Sequence, residues 1–223
     1  MTRKKYTNDP SWDYKVWEYK NYDEYVSAQN AGYNRKVNTH VGVGIECIER
    51  LKEEILDIRP DFKASNIICH GTRSGHEQQC FIKTFNPEYC IGTEIADGCE
   101  KWPNTFKWDM QKPIDEFFDK FDILYSNAFD HAMEPEKCLN TWANQVRIGG
   151  CLVLEAYVGS SHTSTDPNAY STGWLISELE SNGCQLIKEW AKPNFAPPLL
   201  EHFKRKPNPY KCGVPTFLFE RKR

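Results

Sequence analysis

The 223-residue sequence has no basic excess. Its 28 lysines and arginines stand against 31 aspartates and glutamates, for a formal net charge of -3. Proteins that grip duplex nucleic acid by its phosphates ordinarily carry a clear cationic surplus, so nucleic acid is not an expected partner. Long apolar runs are missing as well: no window approaches the ~18 to 20 apolar residues of a membrane span. The opening stretch MTRKKYTNDPSWDYK lacks the apolar segment of a secretory leader. Cysteine is plentiful at nine, but the number is odd and no CxxC pair occurs. Cys69 and Cys151 lie inside apolar runs. Buried reduced thiols are the expectation, and with them a soluble protein of a reducing, cytoplasmic compartment. There is no internal repeat and no low-complexity segment.

What is present reads as one α/β domain behind an N-terminal extension, a division placed at residues 1–40 and 41–223. The extension is rich in Tyr, Trp, Lys and Asn and shows no clear hydrophobic period, so it reads as a polar-aromatic arm and not as a core element. Trp12, Tyr14, Trp17 and Tyr19 would serve as a lid over the sheet edge, as a stacking surface for the apolar face of a sugar ring, or as extra packing. From Val41 the pattern changes. Ile45, Ile48, Leu51, Ile55 and Ile58 recur at three- and four-residue intervals, predicting an amphipathic helix that ends at Arg59-Pro60, because the residue before proline is pushed out of the helical region.

Short apolar runs then alternate with helix-like stretches. The runs are NIIC (66–69), YCIG (89–92), FDILY (121–125) and GCLVL (150–154); the helices include 134–146 and about 173–181. This rhythm predicts βαβ units and a parallel sheet covered on both faces. Two more strand candidates, 184–190 and 215–223, close the chain.

The strand tips carry the chemistry. After the first strand, HGTRSGHE places Gly71 and Gly75 where a sharp turn can approach a ligand and where a following helix directs unpaired N–H groups at it. A tight strand-to-helix turn with no ligand fits the same residues. No Gly-Lys-Ser/Thr follows, so a triphosphate site is not expected, and Arg73 stands where a dinucleotide fingerprint has its second glycine. Glu94 ends the second strand, 19 positions beyond Gly75, close to the ~20 expected of a carboxylate that accepts hydrogen bonds from a ribose diol. Trp108 and Asp109 follow a third strand, an aromatic face and a carboxylate suited to adenine. The fourth strand runs into Ser126, Asn127, Asp130 and His131. Together these predict an adenosine-containing cofactor.

In that order ICHGTRSG, GTEI, KWDM, DILYSN and GGCLVLE resemble a class I S-adenosylmethionine-dependent methyltransferase, over roughly residues 41 to 223. The resemblance implies a Rossmann-like α/β fold with a seven-stranded, mostly parallel sheet, an antiparallel last strand and helices on both faces. It implies S-adenosyl-L-methionine as cofactor and S-adenosyl-L-homocysteine as product. It also places Gly71, Thr72, Arg73 and Gly75 around the methionine part, Glu94 on the ribose, Trp108 and Asp109 at the adenine, and Ser126 and Asn127 beneath the methionine moiety. The family's first strand usually ends in an acidic residue, where this chain has Cys69; His70 and Arg73 also replace smaller or apolar residues, and Arg73 offers a partner for the cofactor carboxylate.

A hydroxyl acceptor needs a base, and an imidazole with an ordinary pKa of about 6.5 suits that task. His131 is the expected base, with Asp130 orienting it or binding substrate; the alternative is that the pair caps the helix opening at Glu134-Pro135. Glu155 and His162 are expected in the acceptor pocket, and Asp130 with Glu155 is a candidate divalent-metal pair. His40, His76 and His202 read as surface or structural. The absence of an Asn/Asp-Pro-Pro-Tyr/Phe tetrad after the fourth strand argues against amino methylation of nucleobases. The motif set is similar to small methyltransferases of glycan-modifying gene sets in bacteria and large DNA viruses, which implies a sugar hydroxyl as acceptor. RNA cap, nucleoside or other small-molecule methylation, a nicotinamide-dependent oxidoreductase and a non-catalytic cofactor-binding module are the competing readings.

Overall fold

The computed structural model describes residues 14–156, 163–193 and 214–223. Nine strands and five α-helices occur among them: β1 (Tyr14–Val16), α1 (Tyr22–Lys36), α2 (Ile45–Ile58), β2 (Asn66–His70), α3 (His76–Phe85), β3 (Tyr89–Glu94), β4 (Thr105–Lys107), β5 (Phe121–Ser126), α4 (Pro135–Gln145), β6 (Val146–Glu155), β7 (Asn168–Tyr170), α5 (Thr172–Ser181), β8 (Cys184–Ala191) and β9 (Pro215–Arg221). The predicted helix from Ile45 to Ile58 is α2, and it stops where Arg59, ahead of Pro60, leaves helical geometry.

Seven strands form the main sheet in the order β4-β3-β2-β5-β6-β9-β8. β2 pairs in parallel with both β3 and β5, so strand order reverses between β2 and β5. β9 runs antiparallel to β6 and β8 and is inserted between them. The alternation along each strand sorts side chains to two cores. Ile67, Cys69, Ile123, Tyr125, Cys151, Val153 and Leu218 pack with Ile48, Leu51 and Ile55 of α2 and Phe81 of α3. Ile68, Leu124, Leu152, Leu154, Phe217 and Phe219 pack on the other face with Leu139 and Trp142 of α4 and Leu175 and Leu179 of α5. Both faces are covered, as the strand runs required. The eight described cysteines are free and buried. No described helix is long and apolar enough to cross a membrane.

Three features differ from the sequence expectation. β6 starts at Val146, directly after α4, where only residues 150–154 read as strand; its first residue pairs with Phe121 across a register shift, which hides the strand period. Asp130 and His131 do not cap α4. They lie in a separate 3-10 turn, Phe129–His131, while Glu134 occupies the cap position of α4 and Pro135 its first turn. The N-terminal segment is not a featureless arm either. β1 pairs antiparallel with β7 as a second small sheet, and α1 is a 15-residue helix capped by Asn21, whose side chain accepts from Glu24 N. Its buried face is Tyr25, Gln29, Gly32 and Tyr33, a helical spacing invisible when only aliphatic residues are counted.

Candidate active site

The carboxyl ends of the parallel strands, beside the β2/β5 reversal, and the inner face of α1 enclose one cavity with about 540 Å³ of atom-free space. It lies at the place where open α/β sheets bind ligands. Gly71 and Arg73 enter from the turn after β2, Thr93, Glu94 and Ile95 from the end of β3, and Trp108, Asp109 and Met110 from the segment after β4. Ala128 and His131 come from beyond β5, and Tyr25, Gln29, Gly32, Tyr33 and Lys36 from α1.

The turn after β2 is built for close approach. Gly71 has φ +70°, and a Cβ there would fall inside the contact distance of Ala128 Cβ. Arg73 is also left-handed, at φ 51°. The amides of Gly71 and Thr72 donate to Thr93 O at 2.9 and 3.1 Å, locking the turn onto β3. Glu94 reinforces it: one carboxylate oxygen accepts from Arg73 N at 3.0 Å, the other from Ile95 N at 2.9 Å and Ala96 N at 3.2 Å. Its charge is thus fixed in direction, with lone pairs left over for a ligand.

His70, the last residue of β2, is fully buried and bonded on both ring nitrogens, to Thr93 Oγ1 and to Gln145 Oε1, each at 2.7 Å. Burial lowers its pKa from 6.5 to about 4. It is a neutral strut under the turn and no base.

On the adenine side of the expected site, Asp109 accepts from Tyr22 OH at 2.8 Å with one oxygen and from Gln111 N and Nε2 with the other. Trp108 is held by its indole N–H on Lys112 O. At the opposite end, His131 Nδ1 lies 3.0 Å from Gln29 Oε1. Gln29 Nε2 donates to Thr165 O, which makes its oxygen the acceptor and leaves the lone pair of a neutral ring on Nε2. That Nε2 sits 3.7 Å from Asp166 Oδ1 and 4.0 Å from Asp130 Oδ1. Burial pushes the pKa of Asp130 up, and His131 offsets this in part. Burial acts in the same sense on Asp166, but His131, Lys36 and the hydroxyls of Thr165 and Thr163 outweigh it and hold that carboxyl below its usual range.

Of the residues the sequence singles out, Gly71, Arg73, Glu94, Trp108, Asp109 and His131 line the cavity together. Thr72, Gly75, Ser126 and Asn127 do not line it. Thr72 Oγ1 donates to Glu77 and Gln78, Gly75 packs against Pro103 O and Thr105, Ser126 Oγ bridges His70 O and Ala128 N, and Asn127 donates to Glu77 at 3.4 Å. All four serve the frame of the turn. Glu155 is buried in an ion pair with Lys192 and is not part of the cavity wall. The expected metal pair of Asp130 and Glu155 is therefore corrected: the carboxylate that joins Asp130 and His131 is Asp166, returned by the loop after β6. His162 and Trp12 lie outside the described residues, as does His202.

Sequence reasoning missed the α1 residues and Asp166. The spacing of Tyr25, Gln29, Gly32, Tyr33 and Lys36 on one helical face was a usable signal for the first; Asp166, in a polar loop, had none.

No protein-family model matches this sequence, and no curated protein does. Solved structures do match. The 1,6-didemethyltoxoflavin-N1-methyltransferase of Burkholderia thailandensis, solved with 1,6-didemethyltoxoflavin and S-adenosylhomocysteine, superposes with a TM-score of 0.62 at 9% identity, over 98% of this chain and 99% of that one. An S-adenosylmethionine-dependent methyltransferase of Mesorhizobium loti gives 0.54 at 13% identity, over 80% of this chain and 100% of its own. The [4+2]-cyclase SpnF also matches, at 0.52 and 11% identity, over 77% of this chain and 72% of that one. A cyclase on the same scaffold means that activity has to be argued from the cavity and not from the architecture. What strand order, the antiparallel insertion and these superpositions establish together is that the chain has the Rossmann-like fold of class I methyltransferases.

Proposed function

We propose that the protein is an S-adenosylmethionine-dependent methyltransferase that binds its cofactor in the cavity under α1 and methylates a hydroxyl placed beside His131. The observation that carries this reading is the carboxylate of Glu94. Three backbone amides orient it at the tip of β3, in a cavity that also contains the close-approach turn at Gly71. A ribose diol is the ligand group that suits such an acceptor. In this reading Gly71 and Arg73 meet the methionine part, with the Arg73 guanidinium near its carboxylate, and Thr72, Gly75, Ser126 and Asn127 hold the surrounding backbone. Trp108 and Asp109 meet the adenine. Asp109 keeps lone pairs for the exocyclic amine beside its bond to Tyr22.

Methyl transfer from a sulfonium needs alignment more than activation, because the leaving group is already good. A hydroxyl acceptor must also lose its proton. His131 Nε2 is the lone pair available for that, with its ring oriented by Gln29 and Nε2 facing Asp166 and Asp130. The acceptor class we favour is a sugar hydroxyl of a glycan or small molecule. Tyr25, which lines the cavity and donates its hydroxyl to His131 O, offers a ring beside the acceptor end.

Calorimetric titration with S-adenosylhomocysteine, with NADH as control, tests the cofactor. Micromolar affinity for the first alone supports the reading; binding of NADH alone indicates an oxidoreductase, and binding of neither a pocket without this cofactor role. Transfer of labelled methyl to a panel of sugars, nucleosides and capped RNA then tests the acceptor. Labelling confined to nucleosides or RNA would overturn the sugar assignment and leave the cofactor assignment standing.

A further inference from the structure

We infer that Asp130, His131 and Asp166 form a binding site for a first-row divalent cation, at the acceptor end of the cavity. The three prospective ligand atoms, one carboxylate oxygen from each aspartate and a ring nitrogen of His131, lie within 4.8 Å of one another. Proximity alone would not carry this. Asp130 Oδ1 is completely buried and has no hydrogen-bond partner among the described residues. Such an orphaned anionic oxygen is costly unless something cationic faces it. It looks toward His131 Nε2, itself 3.7 Å from Asp166 Oδ1.

The supporting shell is also of the kind that metal ligands require. His131 is fixed through its other nitrogen by Gln29, which presents Nε2 inward. Asp166 is fixed through its other oxygen, Oδ2, by the hydroxyls of Thr163 and Thr165, each at 3.2 Å, which presents Oδ1 inward. The facing charges are Lys36, whose Nζ is 3.9 Å from Asp166 Oδ1, and the carboxylates themselves. Lys36 approaches Asp166 and not the Asp130 oxygen, so it does not replace the cation there.

Two oxygens and one imidazole favour a borderline ion of the Mn²⁺ or Zn²⁺ class over Ca²⁺, which prefers six to eight oxygens. Because His131 lines the cavity, open coordination positions would face an acceptor. The site itself does not depend on methyl transfer. Its coupling to the reaction rests on the function proposed above, and in the loaded protein His131 Nε2 is a ligand, so the base role belongs to the cation-free state.

The test is titration of the chelator-treated, full-length protein with MnCl₂, followed by calorimetry and pulsed electron paramagnetic resonance, with CaCl₂ as comparison. The expected result is one Mn²⁺ bound at micromolar to low-millimolar concentration, more tightly than Ca²⁺, with nitrogen modulation from one imidazole. Asp166→Asn should weaken binding about tenfold or more, and Lys36→Gln should not weaken it. The spectroscopic signature is read on the unmodified protein, so it stands even if a variant fails to fold. Absence of bound Mn²⁺ at these concentrations, binding without nitrogen modulation, or affinity unchanged in Asp166→Asn would each overturn the assignment. Binding of S-adenosylhomocysteine, measured separately, reports on the cofactor reading alone.

Discussion

Stability at mildly acidic pH should be governed in part by His70. The ring is fully buried, stacked on Trp142 with centroids 5.3 Å apart and planes 12° from parallel. Gln145 Oε1 accepts from Nε2–H, so Nδ1 is the acceptor for the Thr93 hydroxyl. The neutral form is completely satisfied, and a proton on Nδ1 would bring an uncompensated charge into the core. Burial accordingly lowers the pKa from 6.5 to about 4. Between these values the unfolded chain binds a proton that the folded chain refuses. Stability therefore rises with pH through this window, is complete above about 6.5, and is lost as pH falls toward about 4. At 1.36 kcal/mol per unit the whole window amounts to about 3 kcal/mol, of which about 2 is lost by pH 5. Against a total of ~5 to 15 kcal/mol for a domain, that is a large fraction.

Urea unfolding of wild type and His70→Gln at pH 7.5 and pH 5.0 separates this residue from the others that titrate. The variant should be less stable at pH 7.5, by about 1 to 3 kcal/mol for a buried polar group that loses its partners. It should also lose about 2 kcal/mol less than wild type between the two pH values. Equal losses in the two proteins would refute the claim that His70 is held neutral. The residue matters for the site because the ring ties the end of β2 to β3 and to the last residue of α4, immediately before Gly71.

Other substitutions report on the cavity. Glu94→Gln should weaken S-adenosylhomocysteine about 10- to 100-fold by calorimetry, since a lost charged hydrogen bond costs about 1.5 to 3 kcal/mol; normal affinity would remove Glu94 from the ribose. Gly71→Ala should destabilise by at least about 1 to 2 kcal/mol in urea, from the left-handed φ alone, and should abolish cofactor binding because Ala128 leaves no room for the methyl. His131→Ala should lower turnover by about two to four orders of magnitude while leaving cofactor affinity within a few fold; unchanged turnover would remove it from the chemistry. Tyr22→Phe, which deletes the donor to Asp109, should speed amide exchange in α1 while global stability changes by about 1 kcal/mol or less; unchanged exchange would mean that this bond does not hold the helix.

The sheet was legible because aliphatic alternation and strand-tip glycines encode it directly. Ile67-Ile68-Cys69 splits between two cores, and the run NIIC reads as a strand buried on both faces for that same reason. Glu94 was legible through its distance from the glycine turn. Asn127 and Ser126 were placed beneath the cofactor by the resemblance, but side chains at and just beyond the end of a strand turn to whichever partner the local fold supplies. Asn127 turns toward Glu77 and Ser126 caps its own turn. Glu155 presented a polar strand end of the same kind. Its partner Lys192 is 37 residues further on, and no local pattern marks a long-range ion pair. Asp166 reaches the acceptor end through long-range contacts that no local pattern announces: β7 pairs with β1, Asn168 donates to Phe129 O and Gln29 donates to Thr165 O.

α1 roofs the cavity with a face that mixes aromatic and polar side chains. Its polar links to the rest are Tyr22 to Asp109, Asn30 to the Asp97 amide, Tyr33 to the Trp102 indole, and Gln29 to His131 and Thr165; beside them Tyr25 is buried and Tyr33 packs with Val37, Ala96 and Cys99. Each polar link is a hydrogen bond that water can replace at a net cost of about 0.5 to 1.5 kcal/mol, whereas an aliphatic seam of the same length would have to be exposed outright. The two ends of the cavity are also joined through α1. Asp109 holds Tyr22 at the start of α1 and His131 meets Gln29 two turns later, so the adenine end and the acceptor end of the proposed site lean on one helix.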